Sequence, residues 1–320
     1  MLIRFPVDFA FSKSSKAFII LTVATLFAVG FNIPILRQLL GFFYISLMPG
    51  LLILKSLETK QRSLIQIILF SVGLSLAFVM FIGLLLNWAL PFIGISEPLT
   101  TFNIVLSVSI LEVVLFLRGK PNGSANSILE QMKFDLNKSL LFIVSIPVVS
   151  ILGAILARSG NISLLLSTFV MISVLFLLMT FGKISSSLFP FAILAIAIAL
   201  LFQTTLVSSY LNGWDIHFEY YLAKVTETHQ YWNYALMPML VGPNNYNTML
   251  SITILPTVYS TVLNLDLFYV YTIIYPLVFS LVPLALYLIY ETRLGSREAF
   301  WSVFFFHVFV YVLYDNDISR

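Results

Sequence analysis

Residues 64–88 read LIQIILFSVGLSLAFVMFIGLLLNW, without one charged side chain. A hydrocarbon core about 30 Å thick takes about 20 apolar helical residues, so this stretch is long enough to cross a bilayer. The same ruler finds apolar stretches near 17–36, 39–54, 101–117, 139–157, 162–181 and 187–207, and again near 249–265, 267–290 and 298–314. Composition agrees: of 320 residues, 60% are hydrophobic and 10% charged, whereas soluble domains run at roughly 45–50% apolar and about 25% charged. Seventeen basic and 14 acidic residues cannot cover a soluble body of this size, so the apolar excess faces lipid. The expected fold class is an all-α, polytopic transmembrane helix bundle.

Several function classes fall away at once. The chain has no cysteine, which removes disulfides, thiol nucleophiles and cysteine zinc sites. The pI near 9.0 reflects basic residues retained on the cytoplasmic side of a membrane and does not point to nucleic acid. Arg4, Lys13 and Lys16 precede an apolar run from Ala17 to Gly30, but no small-residue cleavage site follows it, so it is read as a retained first span. Walker A, HExxH, GxSxG and dinucleotide patterns are all absent.

The ambiguous stretch is 249–265, MLSITILPTVYSTVLNL, which is short for a span and interrupted by Pro256 and several hydroxyl residues. If it does not cross and the N-terminus is cytoplasmic, 13 of the 17 lysines and arginines fall inside, leaving Arg37, Arg158, Lys224 and Arg320 outside. If it crosses, Arg293 and Arg297 move outside and the bias weakens. The positive-inside rule therefore predicts about nine spans, with 249–265 as an interfacial amphipathic helix in a large extracytoplasmic loop, 208–266. The polar stretch 118–138 is read as a solvated inner linker. The chain stops at YDNDISR just past the last apolar stretch, an ending expected of a piece of a longer protein.

The outer loop gathers the chemistry. Gly213-Trp214-Asp215-Ile216-His217-Phe218-Glu219-Tyr220-Tyr221 follows the seventh span directly. On a helix Asp215 and Glu219 share a face; in an extended segment Asp215, His217 and Glu219 all project to one side. Either geometry joins two carboxylates, able to hold a divalent cation such as Mg or Mn or to act as a general base. The imidazole would favour a transition metal. The opposing reading is an ordinary polar edge with Trp214, Tyr220 and Tyr221 in the aromatic belt. His229, Trp232, Asn244 and Asn245 extend the polar, aromatic surface, which suits a sugar and suits an interfacial anchor equally. Asp315 and Asp317 are either a second acidic pair on the same side or a solvated helix end. Glu112, inside the fourth span, is a functional candidate by position, unless it snorkels toward Arg118. Arg37 and Arg158 suit lipid phosphate, or nothing at all.

The order of parts from 187 to 320 resembles the opening of the GT-C class of membrane glycosyltransferases: a span, an acidic motif at the start of a large outer loop, an interfacial segment, and a span ending in a basic turn at Arg293–Arg297. GWDIHFEYYLAKVTETHQYWN and YNTMLSITILPTVYS look like an uncharacterised archaeal multispan family of GT-C affinity. The resemblance divides the chain into a six-span N-terminal bundle, 1–186, and the start of a GT-C-like module, 187–320. It implies sugar transfer from a polyprenyl-phosphate carrier at the outer face of a plasma membrane. Asp215 would be the general base or metal-orienting carboxylate and Glu219 its partner. The rival expectation is a non-enzymatic protein, a carrier or flippase for lipid-linked sugars, or a membrane scaffold.

Overall fold

The computed structural model describes residues 13–57, 63–118, 137–235 and 246–306. Most of the inner linker, Asn244, Asn245, His307, Asp315 and Asp317 lie outside the described residues. Every regular element among the described residues is helical: α1 Lys13–Gly30, α2 Leu36–Ser56, α3 Leu64–Ala89, α4 Thr101–Arg118, α5 Lys138–Ala157, α6 Ser163–Thr180, α7 Phe189–Leu206, α8 Asp215–His229 and α9 Ile254–Leu263. A helical run Leu267–Leu294, α10, and a helix over 296–306, α11, follow.

Local sequence sets several of these boundaries. Ser63 and Gln66 exchange side-chain and backbone hydrogen bonds in a capping box that starts α3. The Asn137 side chain accepts from the Leu140 N–H at 2.8 Å to start α5. Seven helices, α2 to α7 and α10, are long and apolar enough to cross a membrane. Of the expected first span, the described apolar part is the shorter run Phe18–Gly30, and of the expected last span only residues up to 306 are described.

The pattern of burial is that of a membrane protein. On α5, Leu141, Val144, Val148, Leu152 and Ile155 form an exposed apolar stripe, while Ile143, Ile146, Ser150 and Gly153 face inward. Across the fold, polar side chains such as Ser71, Ser75, Ser150 and Thr168 are buried and large hydrophobics are exposed. Water would penalise that arrangement and lipid favours it.

Two compact units divide the chain: α1–α4 with residues 261–264, and the remaining helices. In the first, α2 and α3 approach closely at Gly50, whose N–H donates to Ser75 Oγ at 2.8 Å and where a Cβ would overlap the Ser71 carbonyl. Arg37 is buried and satisfies the end of α9, its Nε donating to the Val262 carbonyl at 2.7 Å and another nitrogen to Thr261 at 2.8 Å. In the second unit, α7 is the central helix. It is hydrophobic on every side and mostly buried, as such a helix must be. Ala192, Ala195, Ala197 and Ala199 are all buried along it, and the Ser150 hydroxyl donates to the Ala199 carbonyl at 2.6 Å.

The stretch expected to lie as an interfacial amphipathic helix is largely buried in the structure. Its helical part is ten residues long, and every residue from Ile252 to Ser260 is buried, including Thr253, Thr257 and Ser260. An interfacial helix keeps its polar face in water. Here the hydroxyls of Thr253 and Thr257 instead donate back to the carbonyls one turn earlier, so the hydroxyl side no longer requires water.

Candidate functional site

After α7 the chain turns at Gly213, whose φ of 117° is a conformation that side chains disfavour. Two side chains satisfy the carbonyls that α7 leaves open: Asn212 donates to Thr204 at 3.0 Å and Arg158 to Leu206 at 2.7 Å. The side chain read as a candidate for lipid phosphate thus caps a helix, as Arg37 does in the first unit.

α8 begins at Asp215, where a carboxylate favours the positive end of the helix dipole. Its buried side carries Leu222, Ala223 and Thr226. Ala223 packs with Leu267 and Tyr271 of α10, and Tyr220 meets Tyr271 edge to face at 5.8 Å. Asp215 and Glu219 continue that stripe toward the N-terminus, so the helical alternative of the sequence reading is the one adopted. Residue 217 is then turned by about 200° from 215. His217 is exposed, away from the carboxylate face. Among the described residues no three of His, Asp and Glu converge on a metal position, and the trio Asp215, His217 and Glu219 reduces on this helix to two carboxylates.

The surroundings of the pair are aromatic and hydroxylic. Tyr246 stands beside Asp215, whose carboxylate holds the phenol above its usual range, and Tyr246 packs edge to face on Phe218 at 5.6 Å. Glu219 lies near Tyr271 and Tyr275. Burial, and secondly the charge of Asp215, push its carboxyl above the ordinary range. Among the described residues no cation neutralises the pair. The nearby Lys224 is bound to Glu227 at 2.7 Å, and that carboxylate also accepts from the Ser260 hydroxyl. The bond to Glu227 holds the Lys224 ammonium above its usual range.

The remaining sequence candidates are dispersed. Trp214 is 85% exposed, and Tyr221 and His229 are exposed as well. The Trp232 indole N–H donates to the Asn247 carbonyl at 2.9 Å, and buried Asn247 donates in turn to Asn233 and Tyr234. Trp232 therefore helps to fold the loop. The chain matches no protein family, curated protein or solved structure. What the site can do is set by its own side chains. Two adjacent, uncompensated carboxylates bordered by tyrosines can accept a proton, hold a hard cation through oxygen, and hydrogen-bond hydroxyl groups.

Tyr246, Tyr271 and Tyr275 were not legible as site residues. Tyr271 and Tyr275 belong to a helical run that reads as plain span, and their approach depends on a widened π-turn at Val270–Ile274. Pro276 cannot donate to the Thr272 carbonyl one turn earlier; the Thr205 hydroxyl, 3.0 Å away on α7, does so instead. Pro276 was the available signal, since a proline inside an apolar run marks a place where backbone groups need outside partners.

Proposed function

We propose that this chain acts as a membrane glycosyltransferase of the GT-C kind, transferring sugar from a polyprenyl-phosphate donor at the extracytoplasmic face of an archaeal plasma membrane. The proposal includes about nine spans and a cytoplasmic N-terminus, as the distribution of lysine and arginine favours. The observation that carries it is the Asp215–Glu219 pair: two uncompensated carboxylates on the first helix after a span, one of them half-buried and reluctant to ionise. Glu219 would take the proton of an acceptor hydroxyl, and Asp215, beside Tyr246, would orient the reacting groups. A carboxylate pair that no described cation neutralises suits Mg2+ or Mn2+, which needs few protein ligands and keeps waters or phosphate oxygens for the rest. Such an ion would supply charge neutralisation for a phosphate leaving group. Trp214, Tyr220 and Tyr221 offer ring faces for a sugar, and the bilayer supplies the lipid donor.

The test is sugar transfer from a labelled polyprenyl-phosphate donor in membranes containing the protein. Asp215→Asn and Glu219→Gln should each lower turnover by about 100-fold or more at unchanged expression. Equal turnover in all three proteins would remove the pair from catalysis. Absence of turnover in the wild type across a donor panel would favour the carrier or flippase, a reading supported by one observation, the carboxyl group of Glu112 buried inside a span.

A further inference from the structure

Glu112 lies on α4, six residues or about 9 Å from the end of that helix at Arg118. At that distance its side chain could have reached toward the helix end, yet its exposure is 0% and both carboxyl oxygens are buried without a hydrogen-bond partner. The Tyr44 hydroxyl of α2 stands beside the carboxyl group, but its hydrogen bond, 2.7 Å long, joins it to Ser109 Oγ. Either hydroxyl can donate in that bond, and the Ser109 hydroxyl also lies 2.7 Å from the Val105 carbonyl. Tyr44, Ser109 and Glu112 thus gather four side-chain oxygens around two hydroxyl protons.

A second hydroxyl reaches the same level. Phe18 of α1 and Phe116 of α4 stack with centroids 4.7 Å apart. The short connections between successive helices make α1 and α4 run in opposite directions, so one turn onward from Phe18 and one turn back from Phe116 set Thr22 level with Glu112. Thr22 Oγ1 is buried and likewise has no partner.

Among the described residues of the unit no charge answers the carboxyl group. The described apolar part of α1, 18–30, carries no titratable group, and α3 carries none. On α2, Arg37 is bound to carbonyls and to Asn32, and Lys55 sits over the Phe116 ring at 5.2 Å. An isolated carboxylate inside a span is strongly disfavoured, and an oxygen-rich cluster with no described cation beside it is completed by a positive ligand.

We propose that Glu112, with Tyr44, Ser109 and Thr22, binds a small monovalent cation, a proton or Na+, inside the first helical unit. The site is independent of the Asp215–Glu219 pair and of the glycosyltransferase reading.

An apolar carbodiimide tests it on the whole protein in its membrane. A protonated carboxyl group adds through oxygen to the carbodiimide carbon while its proton passes to nitrogen. The resulting O-acylisourea rearranges to a stable N-acylurea that peptide mapping locates. The expected result is an adduct on Glu112 whose yield falls by about tenfold or more between about pH 5 and pH 8, because only the protonated acid reacts. Protection by Na+ but not by K+ or choline would assign the site to Na+ in exchange with protons; dependence on pH alone would assign it to the proton. Tyr44→Phe, which keeps the ring and removes one oxygen, should shift the pH or Na+ midpoint, and Glu112→Gln should lose the adduct. No adduct on Glu112 at any pH, or a yield indifferent to pH and Na+, would overturn the proposal, since a site that exchanges cations must be reachable.

Discussion

Glu219 is where the environment of a single residue makes a measurable statement. Burial and the neighbouring Asp215 raise its proton affinity in the folded protein above the ordinary value of 4.5. Between that value and the raised one, the folded state keeps a proton that the unfolded state has released. Stability contributed by this group is therefore present at low pH and lost as pH rises through the window. Glu219→Gln removes the titration, so the melting temperature of the variant relative to wild type should climb as pH increases from about 4 to about 7. A constant offset across that range would show that Glu219 titrates alike in both states. The pair itself was legible in the sequence, because two acidic residues four apart share a face on any helix. Its tyrosine neighbours were not, because 52 residues separate Glu219 from Tyr271 and no local pattern joins them. The inward aim of Glu112 was equally hidden: six residues from Arg118, a snorkelling side chain and a buried one have the same sequence.

The apolar run that reads as a span at 64–88 is a helix starting at Leu64, because a long charge-free run has only one way to satisfy its backbone in lipid. The run at 249–265 is harder for the same reason: its threonines and serines can face water or bond within the protein, and Thr253 and Thr257 bond back to their own helix while Ser260 donates to Glu227. Close packing between helices is a further property that period and hydropathy do not reveal. Gly50 looks like an ordinary helical glycine after Pro49, yet α3 lies so close that a methyl group would enter the Ser71 carbonyl. Small residues permit such approaches where apolar area gives helices no reason to leave lipid. Gly50→Ala should destabilise the α2–α3 pair by about 2 kcal/mol or more, read as a lower melting temperature in detergent. Gly73→Ala on α3, where a Cβ meets open space, should leave it unchanged or slightly raised. Equal effects of the two substitutions would show that the helices part easily at Gly50.

Over the whole molecule, the proposed orientation in the membrane rests on charge. Thirteen of 17 basic residues fall on one side in the nine-span reading, a bias set during insertion and independent of the packing that forms afterwards. Residues on either side of α7 give this its sharpest form. Lys183 precedes the span Ser186–Leu206, His217 follows it, and both are exposed. Because the chain has no cysteine, Lys183→Cys and His217→Cys each introduce a single thiol into an otherwise silent background. A membrane-impermeant maleimide added to intact cells should label the thiol at 217 and reach the one at 183 only after permeabilisation. The reverse pattern would place the acidic face of α8 in the cytoplasm, where a donor presented at the outer leaflet could not meet it. Labelling of both thiols in intact cells would mean that α7 does not cross. That outcome would mean that the apolar circumference of α7 is enclosed by its neighbouring helices and not by lipid.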